Sequence, residues 1–310
     1  MPGPTPPIAP VPARPMHPDV AWAVWSGERA RRVESVVDTL LPPSTEPPQR
    51  LHEAMRYAVL GGGKRVRALL AYAAGKLTRA DPAVVDRAAA AVELMHAYSL
   101  IHDDLPCMDD DVLRRGKPTC HIAFGEATAL LAGDALQSCA FEALAAVRSR
   151  DPAQPVLLLA RAIGSRGMAG GQEIDLAAGG QSLDLAELEH MHGLKTGALI
   201  RAAVRLGADC GQPMTAGEND ALHRYASAIG LAFQVVDDVL DVEGTAQSLG
   251  KTAGKDAVQR RSTYVTLMGL AAARERIEAL RVEARTALSG FGTGARRLLE
   301  LADWVVARTH

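Results

Sequence analysis

Residues 234–241 read Gln-Val-Val-Asp-Asp-Val-Leu-Asp and carry the strongest structural signal in the chain. Gln234, Asp237, Asp238 and Asp241 have the i, i+3, i+4, i+7 spacing of one face of an α-helix. The other positions are apolar, so this helix is expected to be buried rather than to present a solvated acidic face. Three buried carboxylates are costly unless cations neutralise them. Oxygen ligands without a neighbouring His or Cys indicate a hard ion such as Mg²⁺.

Helix-favouring patterns extend in both directions from this stretch. Apolar-periodic segments rich in Ala, Leu, Arg and Glu alternate with short breaks, and strand-like alternation is nearly absent. We expect an all-α, single-domain helical bundle over residues 19–310, after a disordered proline-rich tail over 1–18. Gly170-Gly171 is predicted to separate two helices. The predicted helices are 20–40, 47–60, 65–79, 82–104, 126–149, 154–166, 184–206, 216–242, 257–274, 274–289 and 294–308.

A second acidic segment, residues 103–111, reads Asp-Asp-Leu-Pro-Cys-Met-Asp-Asp-Asp and follows a helix that we expect to be buried. Pro106 disfavours helical geometry at Leu105, so the helix should kink or end there. A kink allows Asp109 to turn back beside Asp103. An acidic loop after a helix is a common alternative, and the presence of two such segments in one chain is what favours a metal site.

Basic residues beside glycines or aspartates are candidates for binding a diphosphate, which Mg²⁺ commonly bridges to carboxylates. Residues 61–67, Gly-Gly-Gly-Lys-Arg-Val-Arg, place a flexible turn before a helix start, where backbone N–H groups favour an anion. The order differs from that of a P-loop, and no strand precedes it. Taken singly, each basic residue is more often a solvated surface charge. The further candidates are Arg114, Arg115, Lys195-Thr196, Lys251 and Lys255.

Composition narrows the class of protein. The 310 residues have a formal net charge of −2, which does not favour nucleic acid or an anionic membrane surface as a partner. Four widely spaced cysteines form no CxxC pair and no disulfide framework. Without an apolar run long enough for a membrane span, and without a recognisable secretory signal, a reduced cytoplasmic chain is expected.

These motifs together resemble those of the trans-prenyl diphosphate synthases, the family of farnesyl and geranylgeranyl diphosphate synthases, and most closely the bacterial farnesyl diphosphate synthases. The resemblance runs from about Arg50 to the C-terminus. It implies an isoprenoid synthase fold, a helical bundle around a central active-site cavity, usually as a homodimer. The matched segments are both aspartate motifs, Gly-Gly-Lys-Arg-x-Arg at 62–67, Arg114-Arg115-Gly116, Gly170-Gly171-Gln172, Lys195-Thr196 and Leu249-Gly250-Lys251.

The resemblance also implies individual roles. Mg²⁺, three ions per site and replaceable by Mn²⁺, would be bound by Asp103, Asp104, Asp109, Asp237, Asp238 and Asp241. Isopentenyl diphosphate would be bound by Lys64, Arg67, His96 and Arg115, with a buried structural histidine as the alternative for His96. The allylic diphosphate and its carbocation would be held by Arg114, Lys195, Thr196, Gln234, Lys251 and Lys255. Those expected to act directly in catalysis are Asp103, Asp104, Asp109, Arg114, Lys195, Thr196, Asp237 and Lys251.

The implied reaction is the Mg²⁺-dependent head-to-tail (1′-4) condensation of isopentenyl diphosphate with dimethylallyl or geranyl diphosphate. Tyr98 lies roughly 7.5 Å along the helix from Asp103, and Ser99 lies between them. In family members with an insertion like Pro106-Cys107, an aromatic at the Tyr98 position accompanies a C15 product, and a small residue a C20 product. We therefore expect (2E,6E)-farnesyl diphosphate, with geranylgeranyl diphosphate as the alternative. Simple core packing is the other interpretation of Tyr98.

Three positions depart from the family pattern. Ala68 stands where proline usually follows the basic motif, and Arg261 and Val265 replace a lysine and a proline. These lie at motif edges, so they bear on loop geometry more than on chemistry. Terpene cyclases usually lack the second aspartate motif and the basic segment 62–67, and a silent partner subunit should have lost aspartates or cations. Neither alternative fits this chain as well as a synthase does.

Overall fold

The computed structural model describes residues 18–147, 151–179, 182–243 and 262–308. The tail predicted over residues 1–18 lies outside these ranges except for Pro18, and so do Lys251, Lys255 and Arg261. The described residues form an all-α bundle with one two-stranded ribbon, so the predicted fold class is confirmed.

Helices provide almost all the regular structure of the described residues. The helices are α1 (Pro18–Leu40), α2 (Gln49–Val59), α3 (Val66–Leu77), α4 (Pro82–Asp103), α5 (Cys120–Phe124), α6 (Glu126–Ala145), α7 (Ala153–Ile163), α8 (Met168–Ala177), α9 (Leu185–His192), α10 (Ala198–Asp209), α11 (Ala216–Glu243), α12 (Tyr264–Met268), α13 (Leu270–Ala287) and α14 (Arg296–Val306). A π-helical turn, Gly193–Gly197, joins α9 to α10, and a 3₁₀ segment, Ser289–Ala295, precedes α14. The strands are β1 (Leu113–Arg114) and β2 (Lys117–Pro118).

Local sequence explains where the central helix α4 begins and ends. The Asp81 carboxylate accepts the Ala83 backbone N–H at 2.9 Å, and Pro82 occupies the first helical position, where its missing N–H is not needed. The helix ends at Asp103, three residues before Pro106, as the restriction on the residue preceding a proline predicts.

The core is centred on α4, which packs against α6 and α3, while α10 packs against α3 and α11 against α13. Alanines over 88–91 of α4 are fully buried, so neighbouring helices approach this part of the bundle closely. This dense packing fixes the C-terminal end of α4, from which the first acidic segment emerges.

Several predicted boundaries need correction. Gly170-Gly171 lies inside α8 and does not break it. A Cβ on Gly171 would stand 2.2 Å from the Lys195 backbone nitrogen, so glycine is required there because α8 and the π-helical turn approach closely. The helix predicted over 257–274 is also wrong, because Gly269, with φ of 82°, separates α12 from α13. No helix among the described residues is both long and apolar enough to cross a membrane.

Candidate active site

The first acidic segment leaves α4 in a tight turn. The Asp109 backbone N–H donates to the Asp103 carbonyl oxygen at 2.8 Å, so the chain doubles back beside Asp103 as predicted. Burial raises the pKa of Asp103 to about 6; the charges of Asp109 and Asp104 act in the same direction, and that of Lys195 opposes them. The ionised Asp103 carboxylate would therefore be stabilised by a bound cation.

A hairpin after this segment carries the two adjacent arginines. Its turn residues, Arg115 and Gly116, both have positive φ, 54° and 74°, as two-residue hairpin loops require. Arg114 Nε lies 2.8 and 2.9 Å from the two oxygens of the buried Asp104. Asp104 thus fixes Arg114, and this ion pair engages the oxygens that the sequence assigned to a metal.

Arg115 reaches the glycine turn at residues 61–63. Its Nη1 donates to the Gly62 carbonyl oxygen at 2.9 Å. Gly63 has φ of 103°, and a Cβ there would lie 2.8 Å from the Arg115 guanidinium. Only glycine fits both the backbone conformation and this contact. The glycine turn therefore holds the Arg115 guanidinium of the hairpin in place. It also begins the basic segment, residues 61–67.

The basic residues after the turn have different environments. Arg65 points inward and forms ion pairs with Glu34 and Glu93, so its role is structural. Arg67 is buried at the cavity wall, and its Nε has no hydrogen-bond partner among the described residues. Burial lowers the pKa of Arg67 to about 10 and also lowers the pKa of Lys64. Arg67 therefore lines the cavity and has a desolvated donor without a protein partner.

His96 lies on α4 next to these arginines. Burial, reinforced by the charges of Arg67, Arg115 and Arg114, holds its pKa well below the ordinary value. His96 is therefore neutral near pH 7 and can donate a single N–H to a ligand.

The second acidic face, on α11, meets an arginine that sequence reasoning missed. Arg308 lies 3.1 Å from an Asp237 carboxylate oxygen, and its guanidinium stacks at 3.8 Å from the centre of the Phe233 ring. Its side chain is almost fully buried. Arg308 comes after α14 with no motif around it, so only the folded chain shows that it faces the cavity.

Asp238 has an anchoring contact. Its buried carboxylate accepts the Tyr264 backbone N–H at 2.7 Å, at the first residue of α12. Thr263 and Thr266 complete that helix start with a reciprocal cap. Asp238 therefore ties α12 to α11, a role that the sequence did not predict.

The π-helical turn positions the Lys195-Thr196 pair. Lys195 Nζ lies 2.6 Å from Asp175 of α8, an acidic partner that sequence reasoning missed, and Lys195 also interacts electrostatically with Asp103. Gln234 Nε2 lies 3.3 Å from Nδ1 of the buried His192, which precedes the turn. Single-turn π-helices often occur at functional sites.

One cavity of about 650 Å³ brings much of the predicted site together. Phe233 and Arg308 also line it. The predicted residues that line this cavity are Lys64, Arg67, His96, Asp104, Arg114, Arg115, Asp237 and Asp241. The other predicted binding residues within the described ranges do not line this cavity; they are Asp103, Asp109, Lys195, Thr196, Gln234 and Asp238.

The sequence between residues 48 and 287 matches the family model described as polyprenyl synthetase. The chain belongs to the polyprenyl synthetase family. A probable farnesyl diphosphate synthase from Bradyrhizobium diazoefficiens is 46% identical over 283 residues, which cover 90% of this chain and 85% of that protein. The large subunit 1 of the heterodimeric geranylgeranyl pyrophosphate synthase of Arabidopsis thaliana is 47% identical over 292 residues, covering 91% and 78%.

Solved structures of similar proteins superpose closely on this chain. An FPP/GFPP synthase from Zymomonas mobilis matches with a TM-score of 0.83 at 41% identity, covering 93% of this chain and 99% of that one. A geranyltransferase from Helicobacter pylori, complexed with magnesium and isoprenyl diphosphate, matches with a TM-score of 0.79 at 31% identity, covering 92% and 96%.

In this polyprenyl synthetase, Tyr98 is buried one turn before the first aspartate motif. Its ring meets His102 edge-on, with centroids 5.6 Å apart, and burial raises its pKa to about 12. His102 Nε2 lies 3.0 Å from the Leu130 carbonyl oxygen of α6. The Ser99 hydroxyl donates to the His96 carbonyl oxygen at 2.9 Å, so it is held against α4. Tyr98 is therefore a fixed aromatic side chain near Asp103, although it does not line the 650 Å³ cavity.

Two departures from the family pattern have structural explanations. The Ala68 backbone N–H donates to the buried Glu93 carboxylate at 2.9 Å, a bond that proline could not make. Val265 lies within α12 and packs against the core. Neither substitution disturbs the helix that contains it.

Among the described residues, no group of three His, Cys, Asp or Glu side chains is close enough to form a complete metal site. The synthetase aspartates are instead distributed over two walls, on the α4 segment and on α11. A hard cation held there would need ligand oxygens to complete its coordination, which is how Mg²⁺ usually binds together with phosphates.

Proposed function

We propose that this protein is a Mg²⁺-dependent prenyltransferase that condenses isopentenyl diphosphate head to tail with dimethylallyl and geranyl diphosphate to give farnesyl diphosphate. The observation that carries the proposal is the 650 Å³ cavity, in which Asp237 and Asp241 face a wall of cationic side chains. Carboxylates for metal ions and cations for phosphates thus line the same cavity. The relatives named for farnesyl diphosphate synthesis support the same reaction.

We assign isopentenyl diphosphate to the cationic side chains and the histidine that line the cavity. Arg67 supplies a buried Nε without a protein partner, and neutral His96 supplies a further N–H. Lys64, Arg115 and Arg308 line the same cavity and add positive charge. Charge-assisted hydrogen bonds of this kind are stronger than neutral ones, particularly to phosphate oxygens in a buried site.

The metal proposal rests on the donor set. Asp103 and Asp109 provide oxygen donors on the segment after α4, and Asp237 and Asp241 provide them on α11. Burial raises the pKa of Asp103 to about 6, so a bound cation would stabilise its ionised form. When bound, Mg²⁺ would neutralise the departing diphosphate, with three ions expected and Mn²⁺ able to substitute. Asp104 and Asp238 contribute mainly by positioning Arg114 and α12.

The allylic diphosphate lies between Asp103 and the π-helical turn in this proposal. Lys195 Nζ lies 2.6 Å from an Asp175 carboxylate oxygen, and Lys195 also interacts electrostatically with Asp103. It is therefore placed to stabilise the negative charge that develops on the leaving oxygen. Thr196, Gln234, Lys251 and Lys255 keep their proposed roles in binding the allylic diphosphate. The allylic C–O bond breaks, the isopentenyl double bond attacks the resulting cation, and the released diphosphate takes the proton.

Product length is assigned to Tyr98. Its buried ring and its contact with His102, which is anchored to α6, support a C15 product rather than the C20 alternative.

A homodimer is also proposed, because Ile122, Leu130 and Leu131 on α5 and α6 expose 53%, 47% and 55% of their surface. Sedimentation equilibrium should give twice the mass of one chain.

Product analysis tests the proposal directly. The purified protein is incubated with isopentenyl diphosphate and either dimethylallyl or geranyl diphosphate, with Mg²⁺ or with EDTA. A C15 product that forms only with the metal is expected. A C20 product would keep the reaction and reject the role of Tyr98, whereas no condensation from any allylic primer would reject the enzyme.

A further inference from the structure

A second cavity lies apart from the active-site cavity. It occupies about 440 Å³ between α7, α10 and the first half of α11, and it shares no lining residue with the first cavity. This volume is within the usual range for small-molecule sites. Four arginines and one histidine line it: Arg161, Arg166, Arg201, Arg205 and His223.

Most of this positive charge is not balanced by the protein. Arg205 is neutralised by Asp209 at 2.8 Å and hydrogen-bonded to the Asn219 side-chain oxygen at 2.7 Å. Arg161 and Arg166 form no ion pair with any residue that the structure describes. The cavity therefore concentrates cations whose natural complement is a multiply charged anion.

Arg201 is the most deeply placed of these cations. Its Nη2 donates to the Gly193 carbonyl oxygen at 3.0 Å, and burial lowers its pKa. The pKa of His223 is lowered by burial and by the charge of Arg201, while Asp220 opposes that shift. Arg201 thus keeps donors for a ligand from a partly buried position, while Arg161, Arg166 and His223 are exposed.

The floor of this cavity is apolar. Leu158 and Ala162 of α7 face Ala198 and Ala202 of α10, and Leu222 of α11 completes the surface. An inorganic anion alone would leave these groups uncovered. A ligand with an anionic head and a short hydrocarbon part would contact both the arginine rim and the floor.

We propose that this second cavity is a binding site for a diphosphate group, either free or esterified to a short hydrocarbon chain. Arginine forks match phosphate oxygens bidentately, and three arginines without carboxylate partners suit a group that carries two or more negative charges. This site is independent of the reaction proposed above, because none of its residues belongs to the active-site cavity.

Arg201 also connects the site to the active centre. It bonds to the first residue of the π-helical turn, and its guanidinium lies 2.8 Å from where a Cβ on Gly197 would stand. The same turn carries Lys195. A ligand that fixes Arg201 should therefore slow amide hydrogen exchange over residues 193–197.

The test is isothermal titration calorimetry in EDTA, with inorganic diphosphate and geranyl diphosphate as separate probes. We expect two sites per chain in the wild type and one in the Arg161→Gln/Arg166→Gln variant, with affinity at the lost site reduced at least about tenfold. The Lys64→Gln/Arg67→Gln variant should lose the other site, because in EDTA the proposed allylic site lacks the metal ions on which it depends. Arg224→Gln, an exposed change on α11 outside the cavity, is the matched control and should keep both.

The two probes distinguish free diphosphate from a prenyl diphosphate as the ligand of the second cavity. Tighter binding of geranyl diphosphate, weakened by Leu158→Ala, assigns the site to a prenyl ester, while equal affinities assign it to free diphosphate. Either result supports the proposal. A wild-type stoichiometry of one that only Lys64→Gln/Arg67→Gln abolishes would overturn it. So would Arg161→Gln/Arg166→Gln changing the oligomeric state while binding stays the same.

Discussion

His192 gives the protein a pH dependence whose size follows from its environment. His192 is 9% exposed, and its ring stacks on Tyr264 with centroids 5.8 Å apart. Its Nδ1 accepts a hydrogen bond from the Gln234 side-chain amide at 3.3 Å. Burial lowers its pKa from 6.5 to about 4, with Asp175 opposing and Lys195 reinforcing the shift. His192 is therefore neutral in the folded protein over a range in which the unfolded chain is protonated.

The sign and size of the effect follow from linkage. Because the unfolded state binds the extra proton, the free energy of unfolding falls as pH drops from 6.5 towards 4. The shift of about 2.5 units corresponds to about 3.4 kcal/mol in full, and to about 2.4 kcal/mol between about pH 7 and about pH 4.5. His96 acts in the same direction and Asp103 in the opposite one, so only a comparison of variants isolates His192.

Urea unfolding in EDTA, at both pH values and at fixed protein concentration, measures this difference. His192→Gln keeps a hydrogen-bonding group beside Gln234 but does not titrate, so its loss of stability on acidification should be about 2.4 kcal/mol smaller than that of the wild type. His190→Gln, on the exposed face of α9, should behave as the wild type does. A difference below about 1 kcal/mol would refute the reasoning, because His192 would then be accessible to protons in the folded state.

Three further changes test the site. Tyr98→Ala should lengthen the product beyond C15 in product analysis, and an unchanged product would mean that Tyr98 only packs in the core. Arg308→Ala should weaken isopentenyl diphosphate binding by about tenfold, measured as KM with little change for the allylic substrate; equal changes in both would place Arg308 elsewhere. Gly171→Ala should destabilise the fold by about 1–3 kcal/mol and lower kcat, because its Cβ would stand 2.2 Å from the Lys195 nitrogen. Gly217→Ala, where a Cβ meets nothing within 4 Å, is its control and should be neutral or stabilising.

Much of the fold could be predicted because helical periodicity is a local property of the sequence. The helices predicted over 20–40, 82–104 and 216–242 match α1, α4 and α11 to within two residues. Glycines were harder to interpret. Gly171 serves a contact with a segment more than twenty residues away, and such a contact leaves no periodic signal around it.

The site residues that lie together in a short motif could be predicted from the sequence. Single residues that reach the site from a distant part of the chain could not. The turn from Asp103 to Asp109 followed from Pro106 alone. Asp175 and Arg308 were missed because each is an ordinary charge in its own segment and becomes part of the site only through Lys195 or Asp237. The engagement of Asp104 by Arg114 was missed for the same reason, since a motif does not show which oxygens are already occupied.

The π-helical turn between α9 and α10 holds one residue more than a regular helical turn would, without rotating the two helices relative to each other. Deleting a single residue from 193–197 would therefore restore a continuous α-helix and leave the apolar faces of α9 and α10 where they are. The wide turn that carries Lys195 and Thr196 would be lost. Such a deletion should thus spare the packing of these helices while it removes the local backbone geometry on which the proposed site depends.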